Sequence, residues 1–148
     1  MTRILIVEAR FYQNIADELA TGAVARLEAA GAEVERVAVP GAFEVPAAIA
    51  MAHRAAQHGG AVYDGFVALG CVIRGETSHY DYVCGESARG LQELATRDGL
   101  AIGYGILTVE NAEQAWARAR VNGNKNKGRD AAEACLAMID LKHKFGQA

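Results

Sequence analysis

Apolar runs recur along this chain, and each is followed by a stretch in which the apolar positions switch to helical spacing. Arg3-Ile4-Leu5-Ile6-Val7 is β-branched with little alternation, as a strand covered on both faces reads. After Phe11, the spacing of Ile15, Leu19, Ala23, Leu27 and Ala30 predicts a helix, and Gly31 stands where a left-handed C-terminal cap would end it. Val34, Val37 and Val39 predict a second strand closing at Pro40-Gly41. Pro46 fits only the first turn of the next helix, which carries Ala48, Ile49, Ala52 and Ala56 on one face until Gly59-Gly60 breaks it. Residues 66–69 predict a third strand that passes through glycines into a polar loop and a helix with Tyr80, Cys84, Leu91 and Ala95 in register, ended by Asp98-Gly99. Ile102–Val109 predicts a fourth strand whose Gly103 and Gly105 leave backbone open to close approach on one face. Asn111 caps a helix running through Trp116 and Ala119. A polar break over residues 122–126 then precedes a last helix with Ala131, Cys135, Met138, Leu141 and Phe145 on one stripe.

Strand and helix alternate throughout, which predicts right-handed crossovers and a parallel sheet. The expected fold is α/β, three-layer and flavodoxin-like: a four-stranded parallel sheet flanked by helices on both faces, in a single domain over residues 1–148. In such sheets ligands bind beyond the carboxyl ends of the strands. Phe11 follows the first strand, Phe43 and Glu44 the second, and residues 75–79 the third, so the polar and aromatic candidates fall at that end.

Composition narrows the classes. A net charge of −3 with interspersed signs lacks the basic footprint of a nucleic-acid binder. Cys71, Cys84 and Cys135 are far apart and show no CxxC spacing, which indicates neither a disulfide framework nor a zinc site and fits a reducing cytoplasm. No signal pattern opens the chain and no apolar stretch approaches the ~20 residues of a membrane span, so secretion and membrane insertion are not expected. The first strand leads into Glu8-Ala9-Arg10-Phe11 without GxGxxG, and GxxxxGK[ST] is missing, which disfavours dinucleotide and nucleoside triphosphate sites.

The chemistry gathers in Gly70-Cys71-Val72-Ile73-Arg74-Gly75-Glu76-Thr77-Ser78-His79-Tyr80-Asp81-Tyr82-Val83. Unpaired N–H groups at the helix start, with the positive end of its dipole, make residues 75–79 a seat for an anion. Thr77 and Ser78 suit either that role or simple capping. His79 suits acid–base work near neutrality. Phe11 reads as a stacking platform or a hydrophobic plug. Glu44 reads as a helix-dipole carboxylate or a partner for a polyol or amine. Arg118 and Lys127 read as solvated charges or as cations answering a bound phosphate. Cys71 as a nucleophile with His79 as its base lacks the sharp glycine-flanked elbow of such sites. His53, His58 and His143 lie in polar contexts and are given no role.

Taken together, Phe11, Pro40-Gly41-Ala42-Phe43-Glu44-Val45-Pro46 and the central stretch resemble the 6,7-dimethyl-8-ribityllumazine synthases, the penultimate enzymes of riboflavin biosynthesis. Gly103-Tyr104-Gly105-Ile106-Leu107-Thr108, Glu110-Asn111-Ala112-Glu113-Gln114-Ala115 and Asn126-Lys127-Gly128 continue the resemblance over almost the whole chain. It implies condensation of 5-amino-6-(D-ribitylamino)uracil with 3,4-dihydroxy-2-butanone 4-phosphate, releasing phosphate and water, with no metal and no organic cofactor. It further implies that Phe11 stacks on the pyrimidine, that Ala42, Phe43 and Glu44 contact base and ribityl chain, and that Cys71, Val72 and Ile73 bind the pyrimidine edge. Glu76 and Thr77 would cradle the phosphate, Glu76 through its backbone N–H because many members carry a small residue there. Arg118 would pair with the phosphate, and His79 would be the acid–base residue. Tyr104, Arg118 and Lys127 would arrive from a neighbouring subunit. The segment from Arg118 to Lys127 is one residue longer than in capsid-forming members, so either Lys125 or Lys127 approaches the phosphate, with Asn126-Lys127-Gly128 aligning better. The resemblance implies a homopentamer, which in the family sometimes closes into a shell; the few residues before the first strand and the altered connection to the last helix favour a free pentamer here. Rival readings are a paralogue that binds lumazine or flavin ligands without making them, and a hydrolase using Cys71 and His79.

Overall fold

The computed structural model describes residues 1–147; Ala148, the last residue of the domain expected over 1–148, lies outside them. The elements are β1 (Arg3–Ala9), α1 (Gln13–Ala29), β2 (Glu33–Val39), α2 (Val45–Gln57), β3 (Gly65–Ile73), α3 (His79–Asp98), β4 (Ile102–Val109), α4 (Ala112–Ala119) and α5 (Lys127–Lys144), with a short 3₁₀ turn at Ala42–Glu44. The strands form one four-stranded sheet in the order β2-β1-β3-β4, every pairing parallel. The chain leaves β1 toward β2 on one side and later returns to β3 on the other. The order therefore reverses between β1 and β3, the place where a crevice opens in this architecture.

Period-two alternation sorts the core into two slabs. Ile4 and Ile6 of β1 with Val67 and Leu69 of β3 face α1, α4 and α5. Leu5 and Val7 with Phe66 and Ala68 face α2 and α3. The expected three layers are present, with helices on both faces of the sheet.

The start and stop signals hold at most ends. Gly31 and Gly99 are left-handed at φ 80° and 66°, closing α1 and α3 as expected. The Asn111 side chain accepts the Gln114 N–H at 2.8 Å and caps α4. Gly103 and Gly105 do admit close approach, and what approaches is α5. A Cβ at Gly103 would overlap the Ala131 carbonyl, and one at Gly105 would press on Leu69 and the Ala131 methyl.

Two expectations are corrected. β3 does not stop at Leu69 but runs on through Gly70 to Ile73, because Cys71, Val72 and Ile73 pair with Leu107, Thr108 and Val109 of β4. The buried stripe of α5 is Gly128, Ala131, Ala132, Cys135 and Ile139; Met138, Leu141 and Phe145 are exposed. Close seating at Gly103 fixes the rotation of α5 around Ala131 and Cys135, and Ile139 lies one turn further along that line.

Candidate active site

The carboxyl end of β1 is tied down by a buried carboxylate. Glu8 accepts two hydrogen bonds from Arg36 of β2, at 2.5 Å from Nε and 3.0 Å from Nη2, and one from Arg10 at 2.7 Å. Arg10 also bonds Asp17 of α1, and its backbone N–H donates to the Val39 carbonyl at 3.2 Å. The β1–α1 turn is thus anchored to both neighbouring elements, and Phe11 leaves it with its ring edge-on to Tyr12 at 4.9 Å.

Beyond β2, Gly41 is extended and the chain tightens into the 3₁₀ turn, the Glu44 N–H donating to the Gly41 carbonyl at 3.1 Å. Ala42 is buried, whereas Phe43 points outward. Beyond β3, the loop over 75–78 reaches α3 with Ser78 at the N-cap position. Ser78 makes no side-chain capping bond; Thr77 Oγ1 instead accepts the His79 N–H at 3.4 Å.

These ends surround a cavity of about 630 Å³. Of the residues expected in the site, Phe11, Ala42, Phe43, Glu44, Cys71, Val72, Ile73, Thr77 and His79 line it. Gly75, expected in the anion seat of residues 75–79, lines it too, as do Tyr12, Gly41, Tyr80, Tyr82 and Val83, to which the sequence alone gives no site role. The signal for Tyr82 and Val83 was available: once α3 begins at His79, positions three and four residues on lie beside it on the helix surface. Phe11, Phe43 and Tyr82 keep 70%, 55% and 69% of their surface exposed around the mouth, an aromatic rim open to a planar ligand.

Burial pushes the Cys71 thiol from its usual 9.0 to about 11, with Cys84 adding to the effect. It therefore stays protonated at neutral pH and is a poor nucleophile, which counts against the hydrolase reading. Desolvation also raises the Tyr80 and Cys84 groups beside it. Among the described residues, no group of three or more His, Cys, Asp or Glu side chains is placed to hold a metal ion.

The remaining candidates lie elsewhere on the chain. Glu76 is exposed in the loop, outside the cavity lining. Tyr104 of β4, 46% exposed, faces α3 in a separate groove of about 360 Å³ with Ala88, Leu91, Gln92, Ala95 and Ile102. Arg118 of α4 donates to the Gln114 carbonyl at 3.0 Å, Lys127 opens α5 with Nζ 3.8 Å from Asp130, and Lys125 is exposed in the preceding turn.

The profile of the 6,7-dimethyl-8-ribityllumazine synthase family matches residues 1–143. The chain is 62% identical over 143 residues to 6,7-dimethyl-8-ribityllumazine synthase 1 of Rhizobium meliloti (strain 1021), covering 97% of this chain and 93% of that protein. It is 59% identical to the Agrobacterium fabrum (strain C58) synthase, covering 97% and 96%, and 58% identical to that of Methylorubrum extorquens (strain PA1), covering 95% and 81%. Parallel strand order, a crevice at the β1–β3 reversal and likeness running from end to end agree: the chain belongs to the 6,7-dimethyl-8-ribityllumazine synthase family.

Proposed function

We propose that this enzyme condenses 5-amino-6-(D-ribitylamino)uracil with 3,4-dihydroxy-2-butanone 4-phosphate to 6,7-dimethyl-8-ribityllumazine, releasing phosphate and water, as the penultimate step of riboflavin biosynthesis. The observation that carries the reading is a single cavity that joins an aromatic rim to an uncapped helix start. The first suits a flat pyrimidine and the second a phosphate. Full-length identity to proteins bearing the synthase name supports the same assignment.

In this reading Phe11 stacks on the pyrimidine while Ala42, Phe43 and Glu44 meet the base and ribityl chain. Cys71, Val72 and Ile73, extended at the end of β3, present backbone to the pyrimidine edge. The loop through Glu76 and Thr77 receives the phosphate. The substrate's own amine attacks the ketone, so the imine forms on the substrate and the enzyme needs no lysine nucleophile. His79 moves the protons of carbinolamine dehydration and phosphate elimination. Holding both substrates in reactive geometry supplies much of the acceleration.

Tyr104, Arg118 and Lys127 complete the site from a neighbouring subunit of a free homopentamer, and Lys127 rather than Lys125 meets the phosphate. Their placement away from the cavity of their own chain, with surface exposed, supports that arrangement. The protein works in the cytoplasm as one domain, with its cysteines reduced; no helix among the described residues is long and apolar enough to cross a membrane. Product analysis tests the reaction. Lumazine and inorganic phosphate should appear in equal amounts from the mixed substrates, and lumazine without phosphate would contradict the proposed chemistry.

A further inference from the structure

Arg74 lies between the end of β3 and the loop that leads to His79, and contacts from two sides converge on it. Its backbone N–H donates to the Val109 carbonyl at 2.9 Å, and its Nε donates to Oε2 of Glu110 at 2.7 Å. Its Nη1 lies 3.6 Å from Oδ1 of Asp81, and its guanidinium carbon sits 4.4 Å from the centroid of the Tyr80 ring. One side of the guanidinium therefore grips the end of β4, and the other grips the first turn of α3. Gly75, Thr77 and His79, all cavity-lining, are strung between those grips.

The loop has little else to hold it. Residues 75–78 are exposed, a Cβ at Gly75 would meet nothing within 4 Å, and the Thr77–His79 bond is a long 3.4 Å. The Arg74 contacts are themselves open to water, with side chains of Arg74, Asp81 and Glu110 45%, 62% and 56% exposed. Ion pairs this exposed contribute little to global stability. What a planar guanidinium held by a carboxylate on one edge and stacked on a ring does supply is orientation.

We infer that Arg74 is a positioning residue: by clamping Glu110 to the first turn of α3, it holds the 75–78 loop in the geometry that receives the phosphate of the butanone substrate. This rests on the reaction proposed above. Arg74 itself stays outside the cavity lining and acts through Gly75, Thr77 and His79.

Steady-state kinetics of Arg74→Met, Arg74→Lys and Glu110→Gln test the inference. Arg74→Met should raise KM for the butanone phosphate about tenfold, the scale of losing a charge-assisted anchor, while KM for the ribitylaminouracil stays within about twofold. Arg74→Lys should fall between, because an ammonium cannot reproduce the flat stacked contact. Glu110→Gln should shift the same KM in the same direction, and adding it to Arg74→Met should cost less than the sum of the two. A merely structural role would lower the active fraction without splitting the two KM values. Unsplit KM values in Arg74→Met overturn the role; should that variant not fold, an unchanged phosphate-substrate KM in Glu110→Gln does so. Wild-type protein measured alongside separates the levels: no lumazine above the spontaneous rate defeats the reaction, whereas active wild type with unsplit variants defeats only Arg74.

Discussion

The backbone N–H of His79 donates to Oγ1 of Thr77 at 3.4 Å, so the hydroxyl closes the loop onto the first residue of α3 without a tight cap. Ser78, at the N-cap position, adds no side-chain bond, and the helix start keeps donors for an anion. The proposed phosphate seat and the His79 imidazole therefore share the first turn of α3.

His79→Ala follows from that placement. In the proposed chemistry the substrate amine is the nucleophile and proximity supplies much of the rate, so kcat at saturating substrates should fall roughly tenfold, less than the ~10²–10⁴ that acid–base groups commonly supply. An unchanged kcat would remove His79 from proton transfer.

Arg118→Ala should act on the other substrate term. Loss of a guanidinium–phosphate pair predicts a KM for the butanone phosphate raised about 10- to 100-fold, with a smaller change in kcat. An equal loss of turnover with unchanged affinity would take Arg118 out of the phosphate site. Because Arg118 is not among the residues that line the cavity of its own chain, the proposed oligomer is the sample to use.

The two deeply buried thiols set a pH dependence. Burial raises Cys71 to about 11 and Cys135 to about 12, each from 9.0. A group raised on folding contributes stability that is full below its unfolded value and lost as pH climbs through the folded one. Unfolding midpoints should therefore hold up to about pH 9 and fall as pH rises beyond it toward about 12. Cys135→Ala should make that fall shallower; an identical slope would assign it to other groups.

Gly103→Ala tests the seat of α5. The added methyl meets the Ala131 carbonyl and the Cys135 side chain, so the helix must lift from β4. Overpacking of this kind costs ~1–3 kcal/mol, readable as a lower denaturant midpoint. Stability equal to wild type would mean that α5 shifts freely.

How far the chain can be read in advance depends on which force sets each feature. β4 is legible from end to end because Ile102, Tyr104, Ile106, Thr108 and Val109 carry strand propensity past Gly103 and Gly105. The continuation of β3 past Gly70 is hidden, since glycine weakens a strand locally and only pairing with Leu107, Thr108 and Val109 restores it. The α5 stripe is misjudged for a related reason: Leu141 and Phe145 are apolar enough to claim the core, but backbone-close packing at Gly103 turns the helix to Ile139. Sequence order alone places Phe11, Phe43 and His79 at one cavity, whereas Arg118 and Lys127 lie outside its lining, and the spacing of a single chain cannot express the role proposed for them in a neighbouring subunit.

The most direct measurement is lumazine absorbance and fluorescence over time when purified, assembled protein is mixed with both substrates, set against their spontaneous reaction. Acceleration well above that background, abolished when the butanone phosphate is omitted, is the expected result. A rate no faster than the spontaneous one, in folded protein, would rule out the synthase reaction.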